Sequence, residues 1–323
     1  MSDLTRLYGL TIRSAVPLHQ HRPVPAGTPV DLDITLGTRV AASEETPPGR
    51  LLLDLRGARL YYAATVDDDG YRLRFFGSCD VELDLALTRA TVRPVVGADP
   101  DLLSVLVGGT LLAFVLTVRG QTVLHASAVQ VGDRALAFIG ASGMGKSTMA
   151  TLLCTAGARL VTDDVLRLET TGSAPTCALG ATELRLRKGA DDLADRFGSS
   201  PGLRTTGDGR QALAAAASTT EDLPLAALVI PVADHAPERR SVEVRRLSSS
   251  EAMVLLPRFP RLLGWEDPAI LRAGFHQLAD VVDRVPVHLA LLPWGPPFPD
   301  DLASSVLRAT GLADERAGAG VAS

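Results

Sequence analysis

Residues 140–147 read Gly-Ala-Ser-Gly-Met-Gly-Lys-Ser and satisfy every fixed position of the pattern G-x-x-x-x-G-K-[ST]. No other segment limits the possible folds as tightly. The pattern needs a strand that delivers the chain to its first glycine and a helix that starts at its lysine. Between them, glycines let successive backbone N–H groups converge on an anion at the positive end of the helix. The flanks supply both elements: Arg134–Ile139 reads as a strand, and Ser147–Thr155 as a helix stopped by Gly157. Lys146 is expected to reach the β- and γ-phosphates of a nucleoside triphosphate, and the Ser147 hydroxyl to ligate Mg²⁺. Gly140, Ser142, Gly143, Met144, Gly145 and Thr148 complete the expected ATP-binding loop. Composition adds weight to the lysine. Of 32 basic residues only Lys146 and Lys188 are lysine, so one at the motif position is not background.

At 323 residues the chain is long enough for about two domains. Residues 1–118 read as a small antiparallel β-rich domain with an apolar linking helix, residues 119–312 as an α/β domain, and residues 313–323 as a disordered tail. Val30, Leu32, Ile34 and Leu36 alternate with polar residues, the period of a half-buried strand. Arg59–Val66 and Tyr71–Phe75 flank the turn-forming run Asp67-Asp68-Asp69-Gly70, and Val81, Leu83 and Leu85 repeat the alternation. Asp99-Pro100 is a helix start, opening the uncharged stretch Leu102–Val118. That stretch contains Gly108-Gly109 and lacks basic flanks, which favours a buried core helix over a membrane span.

Further along, His125–Val131 and Arg134–Ile139 form an expected hairpin around Gly132-Asp133, and Leu160-Val161 a short strand ending at Asp163-Asp164. Leu225–Val232 and Val285–Leu292 read as strands, and Ser248–Glu251 as a helix capping box. Asp267-Pro268 opens an amphipathic helix with Leu271, Phe275, Leu278 and Val282 on its apolar face, and Asp300–Leu307 is a last helix. Gly207–Thr220 reads as disordered. A net charge of −5 argues against nucleic-acid partners and polybasic membrane contact. Three scattered cysteines give neither a disulfide framework nor zinc spacing, and MSDLTRLYGL is not a secretory signal, so a cytoplasmic location is expected.

Two adjacent carboxylates 17 residues after the motif lysine invite a division of labour. One can hold Mg²⁺; the other can accept the proton of an attacking hydroxyl. His125, at the head of the strand that leads into the loop, can orient one of them. Of the charged residues that follow, Glu183, Arg185, Arg187, Lys188, Arg204 and Arg210, the arginines suit phosphate or carboxylate. Glu183, Arg185 and Arg210 are the candidates for substrate or phosphate contact, Arg210 because its glycine-bearing loop could close over substrate.

The run Leu124-His125-Ala126-Ser127-Ala128-Val129, the loop Gly140–Thr148 and Leu160-Val161-Thr162-Asp163-Asp164-Val165 together resemble the catalytic domain of HPr kinase/phosphorylase. The resemblance implies a P-loop fold related to phosphoenolpyruvate carboxykinase, and phosphoryl transfer from ATP to a protein serine. It implies Asp163 as the base with His125 beside it, Asp164 near the metal with Ser147, and a tendency to form homo-oligomers. The layout, with a β-rich front beginning Tyr8-Gly9-Leu10-Thr11-Ile12-Arg13, is similar to the HPr-kinase-like precursor-peptide kinases of lasso peptide clusters. That likeness implies a serine hydroxyl on a small peptide as acceptor. The front domain is expected to recruit the peptide, by adding it to a sheet edge. A small-molecule kinase and a non-enzymatic ATP sensor remain the alternatives.

Overall fold

Period-two alternation along the first hundred residues becomes one eight-stranded sheet. The computed structural model describes residues 3–186, 204–236, 241–295 and 297–313. Its front sheet holds β1 (Asp3–Leu7), β2 (Leu10–Ser14), β3 (Leu32–Leu36), β4 (Arg50–Arg56), β5 (Leu60–Asp67), β6 (Gly70–Phe75), β7 (Cys79–Leu83) and β8 (Arg89–Pro94). Their spatial order is β1-β2-β3-β8-β7-β6-β5-β4. The expectation of an antiparallel sheet is corrected at one place. β3 runs parallel to both β2 and β8, because long connections rather than hairpins bring the three strands together. At the Asp67–Gly70 turn β5 passes directly into β6, burying Leu73 and Phe75 and leaving Arg74 to pair with Asp80. Leu85 departs from its expected inward position. β7 ends at Leu83, and Leu85 lies on an exposed turn held by Asp84, which accepts from the Thr88 and Arg89 backbone N–H groups.

The apolar stretch is helix α1 (Pro100–Val118), capped by the Asp99 side chain and widened to a π-helical turn at Leu106–Leu111. It has the length and composition of a membrane span, yet Leu111–Leu116 are buried in the same core as the front sheet. Val165, Leu262 and the partly buried Trp265 join that core from later in the chain. The chain itself also takes both edges of the sheet. On the β1 side, Arg6 N–H donates to the Arg22 carbonyl at 3.4 Å and, just past the strand, Tyr8 N–H to the Leu179 carbonyl at 2.6 Å. Along β4, Asp54 N–H donates to Gly264 O, and Glu266 N–H to Leu52 O, both at 2.8 Å. Along these segments the edge expected to receive a peptide is already paired. Arg22 fixes the junction, donating from its buried guanidinium to the carbonyls of Gly180 (2.7 Å), Ser218 (2.6 Å) and Val161 (3.2 Å).

The second sheet has nine strands: β9 (Thr122–Leu124), β10 (Ala126–Val131), β11 (Arg134–Ile139), β12 (Arg159–Thr162), β13 (Leu166–Glu169), β14 (Thr176–Cys177), β18 (Leu223–Asp234), β19 (Glu243–Arg246) and β20 (Val287–Pro293). A small third sheet contains β15 (Glu183–Leu186), β16 (Arg204–Thr205) and β17 (Gln211–Ala214). This corrects the disorder expected over Gly207–Thr220, most of whose backbone is paired or turned. The remaining described helices are α2 (Lys146–Thr155), α3 (Ser249–Leu255, with the capping box formed), α4 (Pro268–Arg284) and α5 (Leu302–Ala309). On α4 only part of the expected apolar face is buried: Leu278 and Val282 pack inward while Leu271 and Phe275 are exposed. The latter two sit at the rim of an apolar hollow between α4 and Leu124. Residues 314–323, together with Arg187 and Lys188, lie outside the described residues.

Strand directions decide where chemistry can sit. β10 is antiparallel to both β11 and β12, so the C-terminal ends of β11 and β12 and the start of β10 share one end of the sheet. The glycine loop, Asp163-Asp164 and His125 therefore meet there. One expectation shifts in detail: His125 does not begin a strand but occupies the break between β9, which pairs with β13, and β10.

Candidate active site

The loop leaves β11 at Gly140 and enters α2 at Lys146 through two left-handed glycines, Gly143 (φ +93°) and Gly145 (φ +91°). Gly145 is needed twice over. A side chain would be strained at that φ, and a Cβ there would fall 2.1 Å from the Trp294 ring. Met144 folds back over the loop, its Sδ accepting from Ala141 N–H at 3.1 Å and lying close to Gly140. Thr148 is half-buried in the first turn of α2. Lys146 is 6% exposed, and its Nζ donates to the Ala141 carbonyl at 3.1 Å. Burial lowers its ammonium from the usual 10.5 to about 8, against the opposing pull of Asp164 and Asp163.

The adjacent carboxylates point in different directions. Asp163 continues inward from β12 and is 3% exposed; its Oδ1 accepts from Ser127 Oγ and from Ser147 Oγ (2.9 Å), and its Oδ2 from Arg185 N–H (2.9 Å). Asp164 is in the left-handed region at φ +72°. That turn sends its side chain to the other side, where Oδ1 lies 3.1 Å from His125 Nε2 and Oδ2 lies 2.7 Å from both Arg185 Nη2 and Arg261 Nη2. The expected partners are thus exchanged. His125 stands beside Asp164 rather than Asp163, and the loop serine stands on Asp163 rather than Asp164. Two arginines and the histidine hold the Asp164 carboxyl well below the usual carboxylate range despite its burial. Burial holds His125 below its usual value, so it is neutral at pH 7 and its Nε2–H donates to Asp164.

Of the three candidate contacts, Arg185 joins the carboxylate pair directly. Arg210 reaches the loop, its Nη2 donating to Ser142 Oγ at 3.4 Å. Glu183 sits apart: it pairs with Arg204 at 2.9 Å and accepts from Gln20 at 3.4 Å, at the far end of the same cleft. That cleft, open to solvent, is also lined by Tyr8, His19, Ser104, Gly108 and Gly109. Three of the site's neighbours were not singled out from the sequence. Arg261 lies 97 residues from Asp164 in the chain, so no local pattern announces it. Tyr8, on the turn between β1 and β2, is buried against the cleft with its hydroxyl donating to Gly108 O at 3.3 Å. Burial, and then Asp164, raise its phenol above the usual range. Ser127, on β10, is fully buried and donates to Asp163, a role its small polar side chain does not signal in sequence.

Among the described residues no group of three His, Cys, Asp or Glu side chains could hold a metal by itself. The hard-oxygen pair Ser147 Oγ and Asp163 Oδ1 fits Mg²⁺, which binds through one or two protein oxygens with water and substrate phosphates completing its shell. Chemically, the arrangement offers converging amides and a lysine for phosphate, an oxygen pair for a cation, and a histidine–carboxylate pair for a hydroxyl.

No protein-family model and no curated protein matches this chain. Among solved structures, the Hpr(Ser) kinase/phosphatase from Coxiella burnetii aligns with 58% of this chain and 95% of its own, at 14% sequence identity and a TM-score of 0.30. A likeness at that level says nothing of activity.

Proposed function

We propose that this chain is a Mg-ATP-dependent kinase that transfers the γ-phosphoryl group to a serine-type hydroxyl of a peptide or protein. One observation supports it above the rest: Lys146, the Ser147–Asp163 pair and the His125–Asp164 pair converge at one end of one sheet. The loop amides and Lys146 hold the triphosphate. Ser147 and Asp163 hold Mg²⁺, which neutralises charge on the β- and γ-phosphates. His125 and Asp164 hold the acceptor hydroxyl in line with the γ-phosphorus. The bond from that phosphorus to the β–γ bridging oxygen breaks, the bond to the acceptor oxygen forms, ADP leaves, and the hydroxyl proton passes to the Asp164–His125 pair. A carboxylate held well below its usual range is a weak base. That suffices for a loose phosphoryl-transfer transition state, where orienting the nucleophile counts for more than removing its proton.

The test is incubation of the full chain with Mg-ATP and a library of serine-containing peptides, read by intact mass. Gain of one phosphoryl group with wild type, lost in Asp164→Asn while nucleotide binding persists, is the expected result. Transfer only to small hydroxyl compounds would make it a small-molecule kinase. Tight ATP binding without any transfer would make it a sensor.

A further inference from the structure

Arg210 is carried on a hydrogen-bonded turn that places it over the glycine loop. Thr206 N–H donates to Arg210 O and Gly209 N–H to Thr206 O, both at 2.8 Å, and Gly209 takes φ +76°. The Thr206 hydroxyl bonds Asp208 within the turn. Gly207 packs directly on the start of α1, where a Cβ would lie 2.2 Å from Leu102 N. The arginine is therefore presented by packed backbone. Asp208 anchors it, with Oδ2 3.3 Å from Arg210 Nε and 3.6 Å from Arg185 Nη1. The other end of the guanidinium reaches Ser142 Oγ, on the face of the loop that Lys146 also serves. Lys146 is buried beneath the same loop, so two cations serve it. Like charges brought to one face of a phosphate loop repel until an anion is drawn between them.

We propose that Arg210 is a catalytic arginine supplied in cis, contacting the terminal phosphate of the bound nucleoside triphosphate, with Asp208 as the positioning residue that holds it ready. This rests on the triphosphate reading of the loop given above. A guanidinium at that phosphate neutralises charge on the transferring group, a role arginines perform in cis or in trans in other phosphoryl-transfer proteins. Its planar fork can leave Ser142 for phosphate oxygens while keeping the Nε contact to Asp208.

Affinities of wild type, Arg210→Gln and Arg210→Lys for Mg-ATP and Mg-ADP, measured by calorimetry, test it. Arg210 is part-exposed on a turn, so both variants should fold. Losing one charge-assisted contact to the third phosphate should weaken Mg-ATP binding about tenfold in Arg210→Gln, with Mg-ADP within about twofold and partial recovery in Arg210→Lys. Equal losses for both nucleotides, or no loss for either, would overturn the assignment. A wild-type chain that binds neither nucleotide would overturn the triphosphate reading itself, and this inference with it.

Discussion

Lys146 should make nucleotide binding proton-linked. Burial lowers its ammonium from 10.5 to about 8, which corresponds to about 3 kcal/mol of cost for keeping the charge in the nucleotide-free site. Phosphates brought into contact favour the charged form and restore it. Binding above about pH 8 therefore takes up a proton, and affinity falls as pH rises. At pH 9 about a tenth of the free protein carries the charge, so Mg-ATP affinity should be about tenfold weaker than at pH 7. In folding, the Lys146 contribution runs the other way: its folded value lies below the unfolded one, so the unfolded chain binds more protons between about 8 and 10.5 and this contribution grows as pH rises. Cys79, Cys154 and Cys177 oppose it, because burial raises them from 9.0 to about 12 and the fold keeps their protons while the unfolded chain loses them above about pH 9. Nucleotide affinity and the lysine signal therefore isolate Lys146 where stability does not, and the chain has one other lysine. Protein labelled with ¹³C-lysine gives two side-chain signals to titrate. One should titrate near pH 8 and move upward when nucleotide is added. Both titrating above pH 10 without nucleotide, or an affinity that is flat from pH 7 to 9.5, would refute the reasoning.

Three further outcomes follow from packing. Arg22→Met removes the guanidinium from the Gly180 and Ser218 carbonyls and leaves the Val161 carbonyl with the Gly180 N–H alone, and urea unfolding should show a loss of about 3 kcal/mol; a loss below about 1 kcal/mol would remove Arg22 as the fastener of the junction. Gly145→Ala adds about 1–2 kcal/mol of left-handed strain and a clash with Trp294, so nucleotide affinity should fall while tryptophan emission shifts; unchanged binding would mean that the loop relaxes freely. Deleting residues 1–118 strips α1 and the front sheet from Val165, Leu262 and Trp265, so the remainder should lose cooperative thermal unfolding; a folded, ATP-binding remainder would show the junction to be dispensable.

The local elements were legible because local rules determine them. The loop follows from eight residues, the starts of α1 and α3 from Asp99-Pro100 and Ser248–Glu251, and the front strands from alternation. What stayed hidden depends on single backbone angles or distant segments. Spacing places two aspartates at a strand end, but only the φ of Asp164 sends the second carboxylate to His125 and leaves the first to Ser147. The sequence offers no reason for a glycine at 109 in an apolar helix. The reason lies across the fold, where Arg261 Nη2 and Asp164 Oδ2 would lie 3.1 and 3.6 Å from a Cβ on Gly109. Closure of both front-sheet edges was equally out of reach, since the covering residues come from segments around 179 and 264.

Charge shows why a whole-chain property can mislead about a site. A net −5 speaks against polyanionic partners. Among the described residues at the sheet end, however, Lys146, Arg185, Arg210 and Arg261 gather around Asp163, Asp164 and Asp208, and His125 is neutral. Four cations against three carboxylates leave a local excess of positive charge inside an acidic protein. Were this a purely structural ion cluster, one arginine on Asp164 would neutralise it, and burying a second guanidinium there would only add a desolvation cost. A surplus gathered at a glycine loop instead draws in a compact polyanion, while the acidic remainder of the surface turns away extended ones. The site is thus electrostatically complementary to a ligand of several phosphates in one small volume, and that complementarity resides in the arrangement of the residues rather than in their totals.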